Sequence, residues 1–281
     1  MRPRRARYRA PTPEEIPLIS VEELARARDR VRICDLRWDL TDRGKGRATY
    51  EEGHIPGAVF VDLDSDLASA PGENGRHPLP DPDDFAATLG SLGITPDSHV
   101  VAYDDVAGRI AARLWWMLLS IGHDRVQLLD GGYRAWVDAG QVIAKGGVTP
   151  EPADYPGPIE FSGVVGPGDL DGMTLVDARA GSRYRGELEP VDPRPGHIPG
   201  AINIPTDANL DGSGRFLDAR SLASVYAELP DPVAVSCGSG VTACHDALAM
   251  VIAGREMPAV YVGSYSEWSR LDLPVHTGSE P

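Results

Sequence analysis

The sequence predicts an α/β protein made of two tandem copies of one unit, each a mostly parallel sheet flanked by helices on both faces. Three observations carry this. Short apolar runs alternate with helix-period stretches along the chain, the pattern of parallel strands joined by crossover helices. The turn Gly53-His-Ile-Pro-Gly-Ala-Val-Phe60 returns as Gly196-His-Ile-Pro-Gly-Ala-Ile-Asn203, which sets His54 and His197 143 positions apart. Matching landmarks surround each copy in the same order. Val31–Asp35 answers Thr174–Asp177, His99–Asp104 answers Pro232–Cys237, and Leu128–Trp136 answers Val260–Trp268. A period this long marks duplicated domains rather than a solenoid.

Taken in order, residues 1–16 read as a mobile tail. The run Met1 to Ala10 is basic, but it has no apolar core of the kind a secretory signal needs. Pro3, Pro11 and Pro13 spoil an amphipathic helix of the transit-peptide type. The first domain is predicted over 17–144. Ser20 and Glu23 form a capping box for a helix over Val21–Arg28, and further helices are expected at Asp83–Leu92 and Ile110–Ile121, the last carrying Leu114-Trp-Trp-Met117. Residues 145–158 hold Pro150, Pro152, Pro156 and Pro158 among glycines, so they read as a stiff extended linker. The second domain is predicted over 159–281, with its clearest helices at Ala219–Leu229 and Ala243–Ala253. Trp136 and Trp268 read as core.

Composition narrows the function. A chain of 281 residues with 42% hydrophobic and 25% charged residues is that of a soluble globular protein. No apolar run approaches the roughly 20 residues of a membrane span. The net charge of −15 argues against sequence-independent nucleic-acid binding. Cys34, Cys237 and Cys244 are too few and too scattered for a disulfide framework or a zinc site, which fits a reducing, cytoplasmic setting and a reactive thiol. His77, His99, His123 and His276 lack ligand-like spacing, so neither a metal nor a cofactor is expected.

Chemistry concentrates in Pro232-Val-Ala-Val-Ser-Cys-Gly-Ser-Gly-Val-Thr-Ala243. An apolar strand runs into Cys237, and a small-residue loop follows before a helix. A cysteine placed there meets converging backbone N–H groups and the positive end of the helix dipole, conditions that make a sulfur nucleophile. The amides of Gly238, Ser239, Gly240, Val241 and Thr242 can ring one anionic atom, and the two glycines let the backbone curl around it. An inert buried cysteine before an ordinary turn is the bland alternative. Cys244, inside the helix, reads as packing. The first copy has Asp104 where the second has Cys237; a carboxylate cannot attack sulfur, so the first domain is expected to be catalytically inactive.

Two His-Ile-Pro-Gly-Ala turns and one Cys-Gly-Ser-Gly-Val-Thr-Ala loop resemble a tandem rhodanese, with its two rhodanese-like domains. The loop is similar to that of the 3-mercaptopyruvate sulfurtransferases; thiosulfate-using relatives carry basic residues inside it. The resemblance, over residues 17 to 275, implies transfer of a sulfane sulfur from a small-molecule donor, through a Cys237 persulfide, to a thiol, cyanide or thioredoxin-like acceptor. It implies that Ser239 polarises the donor and that Arg185 binds a donor carboxylate, with Arg194 the nearest match to a second such arginine because Val191 follows Glu189-Pro190. Arg179 and Arg183 are assigned to surface or strand-end salt bridges. Trp38 matches a pocket wall. His54 matches a proton relay with Asp42 as the nearest carboxylate, although the equivalent His197 favours a turn-stabilising role for both. Competing readings are thiosulfate as donor, a non-catalytic binding protein, and a phosphatase; the last lacks its arginine, since Ala243 stands six positions after Cys237.

Overall fold

The computed structural model describes residues 17–281; the predicted tail lies outside them. The first half runs β1 (Leu18–Ile19), α1 (Val21–Ala27), β2 (Arg32–Asp35), α2 (Lys45–Glu52), β3 (Val59–Phe60), α3 (Leu63–Asp66), α4 (Pro82–Ser91), β4 (Val100–Tyr103), α5 (Ala111–Ser120), β5 (Val126–Leu129) and α6 (Gly132–Asp138). The second runs β6 (Val164–Val165), β7 (Thr174–Asp177), α7 (Gly181–Tyr184), β8 (Ile202–Asn203), α8 (Ala219–Val225), β9 (Val233–Ser236), α9 (Ala243–Ile252), β10 (Ala259–Tyr261) and α10 (Ser264–Trp268). Each half holds one five-stranded parallel sheet, in the orders β1-β5-β4-β2-β3 and β6-β10-β9-β7-β8. The two orders are one topology repeated. Every residue of β4 and β9 is buried, as expected of strands covered on both faces.

The capping box predicted for α1 is present: the Ser20 hydroxyl accepts from the Glu23 amide at 3.2 Å, and the Glu23 carboxylate from the Ser20 amide at 3.0 Å. Helix α8 ends at Val225, short of the expected Leu229. The Arg255 guanidinium donates to the carbonyls of Tyr226 and Leu229 at 2.7 and 2.9 Å. Residues 145–158 form neither helix nor strand, and they lie against the first half, where the Ala153 amide donates to Gly90 O at 2.8 Å.

Helices α5 and α9 each follow a central strand and pack against one another. One apolar cluster runs across both halves, from Leu114, Trp115 and Trp116 to Ala247, Leu248 and Met250. Burying such aromatics is worth several kcal/mol in total, and it sets the loop after each central strand against the other half: Arg113 donates to Gly240 O at 3.0 Å, and His245 Nε2 stands 3.1 Å from Ala107 O.

Candidate active site

Cys237 directly follows β9 and is 1% exposed. The Ser264 hydroxyl accepts from its amide at 3.0 Å. Its carbonyl and that of Gly238 accept from the Tyr265 and Ser266 amides at the start of α10, at 3.1 and 2.8 Å. Those bonds turn the carbonyls toward α10. Among the described residues, none of the amides from Gly238 to Thr242 donates to a protein acceptor. Gly240 has φ +75° and a Cβ there would lie 2.2 Å from Val262 O, so both handedness and space require glycine. Cys244 is fully buried, and burial pushes its thiol up to about 12, which suits the packing role.

The first half shows what such a loop does to an anion. The Asp104 carboxylate accepts from the amides of Val106, Gly108, Ile110 and Ala111 at 2.8–2.9 Å. Four main-chain donors surround one side-chain acid.

Over the Cys237 loop lies a chain of side chains that joins the expected Ser239 and Trp38 to two residues given no part in the site by the sequence, His77 and Asp64. His77 Nδ1 stands 2.8 Å from Ser239 Oγ, and its Nε2 stands 3.2 Å from Asp64 Oδ1. Trp38 donates its indole N–H to Asp64 Oδ2 at 3.1 Å and meets His77 edge-on at 5.6 Å between centroids. A carboxylate is an acceptor, so Nε2 carries the ring proton and Nδ1 accepts from the Ser239 hydroxyl. Burial holds His77 down to about 4, with Asp64 opposing and Arg113 and Arg76 adding; the ring is neutral at pH 7. The missed signal was length. The stretch from Phe60 to Val100 spans 40 positions, against 30 from Asn203 to Val233, and the longer one carries Arg76 and His77.

His54 is not part of this chain, which corrects the expected relay with Asp42. Its Nδ1 meets Tyr50 O at 2.9 Å and its ring stacks on Tyr50. His197 repeats both contacts with Tyr184, at 2.8 Å. The two histidines close equivalent turns in the two halves.

The arginines also redistribute. Arg185, expected at a donor carboxylate, pairs at the surface with Glu187 at 2.7 and 2.8 Å. Arg194 donates to the carbonyls of Trp268, Ser269, Leu271 and Leu273 at 2.7–3.0 Å, so it ties down the end of α10. The guanidinium that faces the loop from the second half is Arg183: a Cβ on Gly238 would stand 3.2 Å from its Nη1. Arg179 does hold its strand-end acid, Asp177, as expected. Arg113 of α5 is fully buried and donates to Gly240 O at 3.0 Å and His77 O at 3.1 Å. It thereby fixes the cysteine loop against the segment that bears His77.

No group of His, Cys, Asp and Glu suited to a metal occurs among the described residues, and no helix there is long and apolar enough to cross a membrane. Fold and loop together define a sulfurtransferase. The model of the rhodanese-like domain matches residues 20–139 and again 166–271, so the chain belongs to the rhodanese-like family, in its two-domain form. It is 44% identical over 262 residues to a Pseudomonas aeruginosa protein named "Probable 3-mercaptopyruvate sulfurtransferase", covering 88% of this chain and 92% of that one. It is 35% identical over 260 residues to the mouse thiosulfate sulfurtransferase, covering 87% and 86%. The structure of the 3-mercaptopyruvate sulfurtransferase from Leishmania major superposes with a TM-score of 0.83 at 30% identity, over 94% of this chain and 77% of that one.

Proposed function

We propose that the donor is 3-mercaptopyruvate and that sulfur travels as a persulfide on Cys237. The observation that carries the donor is the Ser239–His77–Asp64 chain beside a loop with no charged side chain. The Cys237 thiolate attacks the thiol sulfur of the donor, the sulfur–carbon bond breaks, and its electron pair passes to the enolate of pyruvate. The enolate takes a proton at C3, and the persulfide gives up the former thiol proton. The net change is one proton moved from sulfur to carbon. When the donor binds, the Ser239 hydroxyl turns its one proton from His77 Nδ1 to the donor's keto oxygen, and the freed Nδ1 takes up the thiol proton and returns it to C3. Amides from Gly238 to Thr242 receive the outer sulfur as an anion. An acceptor thiolate or cyanide then attacks that sulfur, the S–S bond breaks, and Cys237 returns as thiolate. Arg183, whose Nη1 would stand 3.2 Å from a Cβ on Gly238, is a cation beside the loop that can take the donor's carboxylate, and Trp38 walls the pocket through its bond to Asp64.

Thiosulfate is the second reading, supported by the guanidinium groups of Arg76 and Arg183 beside the loop. The ratio of kcat/KM for the two donors with one acceptor decides between them; a ratio favouring thiosulfate overturns the donor assignment. Intact mass after incubation with donor is expected to rise by about 32 Da, one sulfur on one cysteine. Cys237→Ser is expected to fold, gain no mass and transfer nothing; added mass on another residue would remove the persulfide role.

A further inference from the structure

We propose that Arg113, carried by α5 of the first half, is the buried counter-charge of the Cys237 sulfur in its thiolate and persulfide forms. It is a positioning residue, acting through the loop it holds. The inference rests on Cys237 being the nucleophile.

Arg113 is fully buried, and its bonds run to the carbonyls of Gly240, His77 and Leu67 at 3.0, 3.1 and 3.5 Å. Among the described residues no carboxylate pairs with it; the aromatic nearest its charge is Trp116, with the ring centroid 5.9 Å from the guanidinium carbon. The other two arginines by the loop differ, since Arg76 is paired with Asp192, and Arg183 with Asp192 and Glu189. A guanidinium does not shed its proton to escape burial. A buried charge without a partner is strongly destabilising, so an anion belongs beside it.

Two thiols and one imidazole face that charge, those of Cys244, Cys237 and His77. His77 is neutral. Cys244 Sγ lies 3.4 Å from Gly240 O, an acceptor, so that thiol keeps its proton. Cys237 remains as the anion. The geometry of the loop agrees. The Gly240–Val241 peptide is trans, which sets its N–H opposite its C=O. With Gly240 O drawn to Arg113, the Val241 N–H is turned away from it, and among the described residues that N–H has no protein acceptor. Guanidinium, peptide dipole and sulfur anion then stand in the order plus, minus, plus, minus. A hydrogen bond to the carbonyl also strengthens the N–H of the same peptide as a donor.

The test reads the ultraviolet absorbance of the thiolate against pH, as wild type minus Cys237→Ser. The same difference is taken in the Arg113→Lys, Arg113→Gln and Arg113→Met backgrounds. At pH 7 most of the wild-type Cys237 signal should be present, where an ordinary thiol is about 3% ionised. Arg113→Gln and Arg113→Met should lower it about 10-fold, the loss of a nearby opposite charge, while Arg113→Lys stays within about 2-fold of wild type. Urea midpoints add a readout that a merely structural arginine would not move: Arg113→Met should cost less stability once Cys237 is serine, because no anion is then left unpaired. A wild-type signal near that of an ordinary thiol overturns the proposal without any variant. So do neutral variants that match wild type, an Arg113→Lys that falls as far as they do, or additive losses in the cycle. Should a neutral variant not fold, recovery of folding in its Cys237→Ser double decides for the proposal and continued unfolding against it. A thiolate that answers to Arg113 while neither donor adds sulfur to the protein would leave the counter-charge standing and remove the persulfide reading instead.

Discussion

Replacing His77 with asparagine removes the group behind Ser239 without emptying the site. Asparagine is shorter and cannot bridge Ser239 Oγ and Asp64 Oδ1, which His77 reaches at 2.8 and 3.2 Å. The step that suffers is the first, because only there does a proton move between sulfur and carbon. A positioned acid–base group contributes 10²–10⁴-fold. For a relay through one ring nitrogen we expect the low end, about 10²-fold or about 2.7 kcal/mol of barrier. Rapid-quench measurement of pyruvate released in a single turnover reads this step, and discharge of the preformed persulfide to a thiol reads the second. The first should slow about 10²-fold and the second far less. The pH profile adds a check. With its folded value lowered by burial to about 4, His77 is protonated in about 3% of molecules at pH 5.5, where an ordinary histidine would be about 90% protonated. No acid limb near pH 6.5 should therefore trace to His77. Equal single-turnover rates in wild type and His77→Asn, or a limb near 6.5 that vanishes in the variant, would refute the relay.

Two predictions concern stability. Gly240→Ala forces a side chain into φ +75° and to within 2.2 Å of Val262 O. The left-handed backbone costs about 1–2 kcal/mol and the overlap about as much again; the melting temperature should fall by roughly 6–12 °C, and a fall under about 2 °C would show that the loop tolerates a side chain. Burial lowers His77 to about 4 and His245 to about 3, so the folded state binds fewer protons than the unfolded one as pH drops below about 6.5. Their stabilising contribution is whole above that value and declines toward pH 4 and 3. His77→Asn should remove about 3 kcal/mol of the decline between pH 6.5 and 4, read as urea midpoints across the range; parallel curves for the two proteins would contradict it.

The duplicated fold was legible because its evidence is local and doubled. Turns, strand-end acids and helix starts recur in order, and the shared topology of the two sheets follows from them. Cys237 could be located because the sequence around it is contiguous. His77 could not, since its partners Ser239 and Asp64 lie 162 and 13 positions away and meet it only once α5 and α9 have packed. The arginines failed for a related reason. Arg183 and Arg185 are two positions apart on the short helix α7 and at its end, so they point in different directions, and motif alignment alone could not say which faces the loop. Arg113 carried no sequence expectation, because its partners Gly240 O and His77 O lie 127 and 36 positions away.

Asp104 gives the N-terminal half a further meaning. From Cβ, its carboxylate reaches outward by as many bonds as a persulfide would on Cys237, and four amides already hold it. The N-terminal half thus carries, in its own covalent structure, a two-bond reach filled from within by a side chain that its loop amides hold in place. With that loop already filled, α5, which begins where the Ile110 and Ala111 amides meet Asp104, stands fixed at its start against α9.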